Sequence, residues 1–250
     1  MLTRPAPSAL APPPAISPAQ HSLFIDFDGT LVPLIDRPDL VRADDALIDL
    51  LGALRNRFGP RLAIVSGRSM DQLDDMIGAT IAGLTLAGSH GVEIRHDGHL
   101  QHPPRPAGLD AANAEVREFV ALHPQLIAET KSQGVAIHYR IAPALEAEVQ
   151  REAATIALRH GLDLQPGKMM IELRGPGNKG EAIAALMKKP AFIGSLPVMI
   201  GDDLTDEPAL AVAADLGGFG ILVGGDRDTA ALYGLADVAD VRSWLWAMCA

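Results

Sequence analysis

Residues 24–30 read Phe-Ile-Asp-Phe-Asp-Gly-Thr, and they continue an apolar run that begins at Leu23. The apolar character of residues 23–27 predicts a short buried strand. Carboxylates are too costly to bury in the middle of such a strand, so Asp26 and Asp28 must lie at its exit. Because strand side chains alternate between faces, these two acids can point into the same small volume, and Gly29 lets the backbone turn away.

Two neighbouring carboxylates repel each other and cannot both ionise cheaply unless a cation or a shared proton lies between them. Asp26 and Asp28 therefore predict a metal-assisted nucleophile beside a general acid/base. The alternative is a plain strand followed by an Asp-Gly turn, since that dipeptide marks many turns. The rest of the chain has to distinguish the two interpretations.

The composition is that of an ordinary globular protein, and it restricts the partners. The 250 residues are 48% hydrophobic and 21% charged, which is enough for one large domain or two smaller ones. A formal net charge of -10 argues against nucleic-acid and anionic-membrane partners, because both require a basic surface. A small phosphorylated substrate remains compatible if local cations and a metal offset this charge.

No stretch approaches the roughly 18 uninterrupted apolar residues of a membrane span, so we expect no membrane partner. Cys249 is the only cysteine, which excludes an intramolecular disulfide and fits a reducing compartment. We therefore expect a cytoplasmic protein, and we expect a monomer. Residues 1–20 hold six of the 19 prolines and one charge, and they predict a disordered or polyproline-like tail rather than a signal peptide.

From His21 onward, short apolar strands alternate with amphipathic helices. This order predicts an α/β fold with a doubly wound, Rossmann-like parallel sheet and right-handed crossovers. Sites in such sheets lie beyond the carboxyl ends of the strands, and here those ends carry polar residues. The predicted strands cover residues 23–27, 62–65, 84–87, 197–200 and 219–223, with a hairpin at 92–100, and the predicted helices cover 43–58, 70–77, 178–187, 228–235 and 241–248.

The pattern changes between residues 104 and 174, where helix, hairpin, helix and hairpin follow one another. This order predicts an inserted α+β cap domain, with the core formed by residues 21–103 and 175–250. Alternation along its strands places an apolar face on the helices and a polar face opposite, which collects Lys168, Glu172, His138 and Arg140. A solvated sheet face would show the same pattern, but we favour a ligand-binding face, because a pocket needs mixed donors and acceptors.

Charged residues also mark two later element ends. Lys179 lies in the first turn of a helix that Asn178 can cap, a position where the helix dipole disfavours a cation unless an anion is held nearby. The strand at 197–200 runs into Gly-Asp-Asp-Leu-Thr-Asp-Glu, which places four acids within six positions. Helix capping would explain the last two of these acids but not Asp202 and Asp203. Oxygen-only ligands in such a group indicate Mg²⁺.

In order, the chain carries Asp-x-Asp-Gly-Thr, a serine at a strand end, a lysine at a helix start and Gly-Asp-Asp-x-x-Asp. This set resembles the haloacid dehalogenase superfamily of phosphotransferases, and the insertion resembles its C2 cap subtype. The resemblance covers the chain from about residue 22 to the end. Closer matches are similar to the trehalose-6-phosphate phosphatase family: Leu-Ala-Gly-x-His-Gly-x-Glu (86–93), Ile-His-Tyr-Arg (137–140), Gly-Lys-x-x-x-Glu (167–172) and Gly-Asp-Asp-Leu-Thr-Asp-Glu (201–207).

The resemblance implies a role for each matching residue of the core. Asp26 would attack phosphorus and become an aspartyl-phosphate, while Asp28 would protonate the departing sugar oxygen and later take a proton from water. Ser66 and Lys179 would hold the equatorial phosphoryl oxygens. Further implied phosphate or substrate contacts are Gly29, Thr30, Arg68 and His90.

The resemblance also implies Mg²⁺ as cofactor and a sugar phosphate as substrate. The implied ligands are the Asp26 carboxylate, the backbone carbonyl of Asp28 and Asp202, with Asp203 and Asp206 as further or more distant ligands. The implied sugar-binding residues of the cap are Lys168 and Glu172 first, followed by His138, Arg140 and Lys131.

The implied activity is the hydrolysis of trehalose 6-phosphate to trehalose and phosphate. Because the core residues cannot separate related enzymes, another C2-capped phosphatase remains open, such as a sucrose-phosphate or mannosylglycerate-type enzyme, as does a phosphomutase. An alternative of a different class is a non-catalytic sugar-phosphate sensor.

Overall fold

A large sheet and a smaller sheet divide the protein into two units. The computed structural model describes residues 10–35, 37, 40–78, 83–225 and 227–249. The core unit comprises the chain up to Gln101 and from Asn178 onward, and the inserted unit is His102–Gly177. The insertion predicted at residues 104–174 lies within the second range.

The helices and strands follow one another in the order expected for an insertion within an α/β fold. The strands are β1 (His21–Ile25), β2 (Leu62–Val65), β3 (Thr85–Gly88), β4 (Glu93–His96), β5 (His99–Gln101), β6 (Ile127–Thr130), β7 (Gly134–His138), β8 (Asp163–Gly167), β9 (Met170–Arg174), β10 (Leu196–Gly201), β11 (Phe219–Val223) and β12 (Tyr233–Leu235). The α-helices are α1 (Asp45–Phe58), α2 (Met70–Ile77), α3 (Leu109–Ala121), α4 (Glu146–His160), α5 (Lys179–Leu186), α6 (Glu207–Asp215) and α7 (Val238–Ala247).

The core unit is built on an eight-stranded sheet with the order β12-β11-β10-β1-β2-β3-β4-β5. Strands β12 to β3 in this order are parallel, and β4 and β5 add an antiparallel hairpin at one edge. The chain adds strands first on one side of β1 and then, from β10, on the other. This reversal opens a crevice beyond the carboxyl ends of β1 and β10. The doubly wound α/β fold predicted from the sequence is confirmed.

Helices cover both faces of this sheet because successive strand residues point to opposite faces. Leu23 and Ile25 of β1 are buried in a cluster with residues of α1, α2 and α7, whereas Phe24 is buried in a second cluster with residues of α5 and α6. A strand that is covered on both faces is typically a nearly continuous apolar run. The apolar run before Asp26 is therefore a direct consequence of this layering.

The inserted unit has its own core between two helices and a four-stranded antiparallel sheet with the order β6-β7-β9-β8. Val135, Ile137 and Leu173 are buried in one cluster with Val116 of α3 and Ile156 of α4. The alternation predicted for these strands is confirmed, since the apolar members face the helices and leave the polar members on the opposite face.

The segment before β1 differs from its prediction as a disordered tail. Residues 1–9 lie outside the described residues, but residues 10–20 are held against the core unit. Ile16 is buried in the cluster that includes α1 and α7, the Ala11 carbonyl accepts from the Gly234 N–H at 3.0 Å, and Arg61 donates to the Pro18 carbonyl at 3.1 Å. Of the two predicted forms, disordered or polyproline-like, residues 10–20 differ from the disordered one, because proline content reports local preference and not the partners offered by the sheet edge and core.

The predicted helix at 228–235 is also wrong. Tyr233–Leu235 forms β12, which pairs in parallel with β11, and the described residues before it are not helical. The helical prediction rested on a few apolar residues at weak spacing. The open edge of β11 supplies hydrogen-bond partners that a local pattern cannot show, and Gly234 is a poor helix former.

The described helices include no segment with the length and hydrophobicity that a bilayer crossing requires.

The docking of residues 10–20 can be tested with an isoleucine pair. Ile16→Ala should lower the free energy of unfolding by about 2 kcal/mol, because it removes a buried side chain and leaves a cavity. Ile193 is 61% exposed, so Ile193→Ala should change the free energy of unfolding by less than about 0.5 kcal/mol. Urea denaturation of both variants measures the difference. Equal and small effects would show that the segment does not pack on the core in solution.

Candidate active site

Three strand ends and one helix start supply the predicted site residues of the core unit. Asp26, Ser66 and Asp202 directly follow β1, β2 and β10, which are neighbours in the sheet. The Asp26 N–H donates to the Ile200 carbonyl at 2.9 Å, so the pairing of β1 with β10 also positions Asp26. The side chains of these residues and of Lys179 are buried. The fold thus brings together residues that are far apart in sequence.

Lys179, the first residue of α5, joins two carboxylates. Its Nζ donates to Asp26 Oδ1 at 2.5 Å and to Asp206 Oδ1 at 2.6 Å. Asn178 fixes the helix start, because its side chain accepts from the Glu181 N–H at 3.0 Å. The unfavourable position of a cation at a helix N-terminus is therefore offset by two negative charges.

The charges around Lys179 shift two pKa values in the same direction. Burial alone would lower the pKa of Lys179, but Asp206 and Asp26 outweigh burial and raise that pKa above its usual range. Burial raises the pKa of Asp26 well above its usual range, with Asp206 and Asp202 adding to the rise and Lys179 opposing it. The two shifts therefore differ in origin, since burial is the largest cause for Asp26 and the two neighbouring carboxylates outweigh burial for Lys179.

Asp206 orients the loop that follows β10. Its Oδ2 accepts from the Asp202 and Asp203 N–H groups, both at 3.0 Å, while its Oδ1 is bound to Lys179. Gly201 permits this close approach, because a Cβ at that position would overlap the Asp206 carboxyl group. Both oxygens of Asp206 are therefore engaged in holding the lysine and the acidic loop.

The carboxylates form a group that fits a divalent cation. One oxygen from each of Asp26, Asp202 and Asp206 lies within 4.8 Å of the other two. Oxygen ligands of this kind suit Mg²⁺. Gly29 lies beside the group with a φ of +85°, and a Cβ there would overlap the Asp202 carboxylate. The donor set and the close approach at Gly29 are both compatible with a hard cation.

This group differs in membership from the ligand set predicted from the sequence. Asp206 supplies the third carboxylate, whereas Asp203 Oδ1 accepts from the Leu204 N–H at 2.6 Å and caps the short 3₁₀ helix Leu204–Asp206. Among the described acids, the Asp28 carboxylate also lies outside the group, and its predicted metal contact is through the backbone carbonyl. Sequence spacing alone could not distinguish which of these neighbouring acids faces Asp26.

Asp28 forms an ion pair with Arg68. Arg68 Nε donates to Asp28 Oδ2 at 2.7 Å and Nη2 donates to Oδ1 at 2.6 Å, so both carboxylate oxygens are bound by one guanidinium. The Asp28 side chain is 25% exposed and that of Arg68 is 8% exposed. Asp28 is therefore accessible to solvent or a ligand, while the arginine behind it is nearly buried.

The loop after β2 holds Ser66 beside this ion pair. Ser66 Oγ accepts from the Arg68 N–H at 3.1 Å, and the Ser66 carbonyl accepts from the His90 N–H at 2.8 Å. The His90 ring lies against Gly67, where a Cβ would be 2.7 Å from His90 Cε1. His90 has a φ of +57°, which costs about 1–3 kcal/mol for a residue with a side chain. Such strain is typical of functional sites.

Thr30 and Gly29 differ in their ability to bind phosphate. The Thr30 side chain is fully buried, and its hydroxyl has no hydrogen-bond partner among the described residues. The Gly29 N–H instead donates to the Val32 carbonyl at 2.7 Å. The Thr30 hydroxyl is therefore the better candidate for a phosphate contact, and Gly29 contributes mainly through its missing side chain.

The predicted sugar-binding residues lie in the inserted unit. Lys131 Nζ donates to Glu172 Oε2 at 2.6 Å, and both side chains are buried. Gly134 makes room for this pair, since a Cβ there would be 2.5 Å from Glu172 Oε1. The remaining members are placed as follows: His138 contacts Glu129 at 2.7 Å, Arg140 donates to the Lys168 carbonyl at 3.0 Å, and Lys168 is exposed.

Sequence reasoning missed three charged residues that support these groups. Glu129 follows from the strand register, because it pairs with Ala136 on the polar face, so alternation along β6 could have identified it. Glu93 accepts from the Ser89 hydroxyl at 2.6 Å and holds the His90 loop. Arg227 donates to the Asp203 carbonyl at 2.9 Å and pairs with Glu207, and no sequence signal indicates it.

Solved structures share the fold of this chain. A structure described as a trehalose-6-phosphate phosphatase related protein superposes with a TM-score of 0.75 at 29% identity, covering 91% of this chain and 96% of that one. The C-terminal domain of Candida albicans trehalose-6-phosphate phosphatase gives a TM-score of 0.79 at 21% identity, covering 92% of each chain. The C-terminal domain of a trehalose synthase regulatory protein from Candida albicans gives 0.68 at 12% identity, covering 95% of this chain and 98% of that one, so the fold alone does not establish catalysis.

Sequence comparison is more specific. The trehalose-6-phosphate phosphatase of Escherichia coli strain K12 is 38% identical over 232 residues, covering 91% of this chain and 86% of that protein. The trehalose-phosphate phosphatase of Mycobacterium tuberculosis strain H37Rv is 34% identical over 90% of this chain and 60% of its own length. The sequence model of the trehalose-phosphatase family matches residues 24–238. The chain therefore belongs to the trehalose-phosphatase family, a family of phosphoric monoester hydrolases.

Proposed function

We propose that this protein is a Mg²⁺-dependent phosphatase that hydrolyses trehalose 6-phosphate to trehalose and phosphate through an aspartyl-phosphate on Asp26. The observation that carries the proposal is the buried Asp26 carboxylate, held by Lys179 at 2.5 Å and grouped with Asp202 and Asp206. Its neighbour Asp28 is exposed enough to exchange protons. One acid is thus kept for attack and the other for proton transfer.

The first step transfers the phosphoryl group to the protein. An oxygen of Asp26 forms a bond to phosphorus while the bond from phosphorus to the sugar oxygen breaks. The departing oxygen keeps the bonding electron pair and takes a proton from Asp28, so neutral trehalose leaves. In this proposal the Lys179 ammonium, the Thr30 hydroxyl and the Ser66 hydroxyl donate to the phosphoryl oxygens, which the burial of all three side chains supports.

The second step releases phosphate. A water oxygen attacks phosphorus, Asp28 takes the proton that the water loses, and the bond between phosphorus and Asp26 breaks with its electrons returning to the carboxylate. The products are inorganic phosphate, an ionised Asp26 and a protonated Asp28 ready for another cycle. Asp28 therefore acts as a general acid in the first step and as a general base in the second.

The metal would be held by the carboxylates of Asp26 and Asp202 and by the Asp28 carbonyl. Asp206 is better suited to orienting the loop, because both of its oxygens already accept from Lys179 and from backbone N–H groups. When bound, Mg²⁺ supplies positive charge that stabilises the charge on the phosphoryl oxygens. Asp203 is proposed to support the metal site indirectly and not to bind the metal itself.

The inserted unit is proposed to act as a cap that recognises the sugar. Its sheet face carries a buried Lys131–Glu172 pair and a His138–Glu129 pair, which combine donors and acceptors suited to hydroxyl groups. Buried ion pairs cost free energy to desolvate, so their presence on a sheet face favours a binding role over a structural one. We further propose that the protein acts as a monomer in the cytoplasm.

A panel of sugar phosphates tests the substrate. Release of inorganic phosphate in the presence of Mg²⁺ should be fastest, by kcat/KM, with trehalose 6-phosphate. A higher value for sucrose 6-phosphate or another sugar phosphate would overturn the substrate assignment while retaining the reaction. Binding of sugar phosphates without any phosphate release would indicate a sensor. Within this assay, Asp26→Asn should lose at least about 1,000-fold in turnover, because an amide oxygen is a far weaker nucleophile than a carboxylate oxygen.

The control for that variant is Asp49→Asn, an exposed acid in α1, which should keep full turnover. Asp26→Asn should also keep its fold, since it removes one charge from a site with excess negative charge. Circular dichroism and sugar-phosphate binding check this. Retained turnover in a folded Asp26→Asn protein would place the nucleophile elsewhere.

Metal binding should depend on pH. Because burial raises the pKa of Asp26 in the metal-free protein, protons compete with a cation for its oxygens up to a higher pH than at an ordinary aspartate. Affinity for Mg²⁺ should therefore fall as pH falls, by up to about 10-fold per pH unit while one proton is displaced. For the same reason, ionisation of Asp26 lowers the free energy of unfolding of the metal-free protein. This free energy should rise again as the pH is lowered through the raised pKa of Asp26.

Isothermal titration calorimetry in buffers of different ionisation enthalpy measures the protons released on Mg²⁺ binding. Thermal unfolding at neutral pH should show a higher Tm with Mg²⁺ than without it. Binding that is independent of pH and releases no protons would contradict the assignment of Asp26 as a ligand.

Lys168 provides a clean test of sugar recognition. Glu172 is less suitable, because its removal would leave Lys131 buried without its partner and cost about 3–5 kcal/mol of stability. Lys168→Ala should raise KM for trehalose 6-phosphate about 10-fold, the loss of one charge-assisted hydrogen bond. It should leave kcat/KM for 4-nitrophenyl phosphate unchanged. Lys188→Ala, an exposed lysine of the core unit, is the control, and equal KM values for both variants would remove Lys168 from the sugar site.

A further inference from the structure

We propose that Arg68 is a positioning residue for Asp28, and that it acts on the reaction by aiming this carboxylate at the leaving oxygen rather than by binding phosphate. The inference rests on the proposed function, because it takes Asp28 as the general acid. It departs from the sequence-based interpretation, in which Arg68 was a substrate contact.

Arg68 binds Asp28 through two hydrogen bonds from one edge of its guanidinium group. Arg68 approaches Asp28 with the edge that contains Nε and Nη2, and these atoms donate to the two carboxylate oxygens at 2.7 and 2.6 Å. A bidentate contact fixes the plane of a carboxylate as well as its distance. The same edge cannot contact a phosphoryl group while it binds Asp28. The guanidinium therefore orients the acid.

Arg68 is itself held at both ends of its backbone. Its N–H donates to Ser66 Oγ at 3.1 Å, and its carbonyl accepts from the Ser89 N–H at 2.6 Å. Gly88 permits this contact, because a Cβ there would be 2.9 Å from the Arg68 carbonyl oxygen. Glu93 in turn accepts from the Ser89 hydroxyl. The arginine is thus a fixed support, and the partly exposed Asp28 is the group that it aims.

The two side chains of the pair differ in their exposure to solvent. The Arg68 side chain is 8% exposed and that of Asp28 is 25% exposed. Desolvation offsets much of the attraction in a partly buried ion pair, so a gain in stability alone explains this pair poorly. Proton transfer to a bound substrate, however, requires a carboxylate that is both ordered and accessible. A small displacement of such a group can lower the rate by a large factor.

The leaving group separates the two possible roles of Arg68. A sugar alkoxide is a poor leaving group and needs a proton from Asp28 as its bond to phosphorus breaks, whereas 4-nitrophenolate leaves without one. A residue that aims the acid affects only the first substrate. A residue that binds the phosphoryl group affects both, because both carry it. The value of kcat/KM reports the steps up to the aspartyl-phosphate and excludes its later hydrolysis.

The experiment compares kcat/KM for trehalose 6-phosphate and 4-nitrophenyl phosphate in wild type, Arg68→Gln, Arg68→Lys and Asp28→Asn. Arg68→Gln should lose at least about 30-fold with the sugar phosphate and less than about 3-fold with the nitrophenyl ester. Arg68→Lys should show the same selectivity with a smaller loss, because an ammonium cannot bind both oxygens in a plane. Equal losses on both substrates, or no loss, would overturn the inference.

A double variant tests whether Arg68 works through Asp28. The Asp28→Asn/Arg68→Gln protein should be no slower with trehalose 6-phosphate than Asp28→Asn alone, since the arginine has nothing left to aim. Additive losses would overturn the inference. Arg95→Gln is the matched control, because Arg95 binds both oxygens of Asp74 outside the site, and it should leave both rates unchanged.

The outcomes also separate this inference from the proposed function. If Asp28→Asn loses activity selectively and Arg68→Gln does not, the inference fails and the acid role of Asp28 remains. If Asp28→Asn shows no selective loss, the acid assignment fails and the inference fails with it. If wild type releases no phosphate from either substrate, the proposed function is wrong. Thermal unfolding of each variant confirms that the comparison is made on folded protein.

Discussion

The site depends on an imbalance of charge in a space that excludes water. Asp26, Asp202 and Asp206 are buried close to one another, and Lys179 contacts Asp26 and Asp206 directly. Burial raises the pKa of Asp26, and repulsion from the other two carboxylates adds to the rise while Lys179 opposes it. A protein tolerates this cost only if something else supplies positive charge during its function. The lysine supplies part of it, and a divalent cation would supply the remainder.

The fold makes this concentration of charge possible through its strand order. The sheet reverses direction beside β1, so the residues that follow β1 and β10 emerge into the same crevice. Glycine at two positions then permits contacts that a side chain would block, since a Cβ at Gly29 would overlap the Asp202 carboxylate and one at Gly201 would overlap the Asp206 carboxyl group. Hydrogen bonds to β10 and to the loop after it hold Asp26 and Asp206 in place, and these contacts keep the acids close despite their repulsion.

Two further ion pairs involve residues of the candidate sites. Arg68 binds both oxygens of Asp28, and Lys131 binds Glu172 in the inserted unit. Buried pairs contribute little net stability, because desolvation offsets their attraction. Their value lies in fixed direction, and here each pair involves a residue proposed to meet either the leaving oxygen or the sugar. The core unit carries the groups proposed for phosphoryl transfer, and the inserted unit carries the polar face proposed to select the sugar.

The sequence alone determined the fold class and the order of the main elements, because apolar residues at periods of two and 3.6 record which faces are buried. It also indicated Asp26, Asp28, Lys179 and Asp202 as candidate site residues, since their order along strand ends and one helix start carries the family resemblance. The local sequence pattern did not predict the structure of segments whose contacts are with residues distant in the sequence. Residues 10–20 and β12 take their structure from a sheet edge and a core elsewhere in the chain.

Only the tertiary structure decided which acids meet. Asp203 and Asp206 are equivalent by spacing, yet the turn after β10 directs Asp206 toward Lys179 and leaves Asp203 to cap a short helix. In the same way, Arg68 could have pointed at a phosphate or at an acid, and it binds a carboxylate 40 residues away in sequence. Periodicity reports the face on which a side chain lies. The partner that it finds there depends on how loops from separate strands converge, and that convergence is a property of the folded chain.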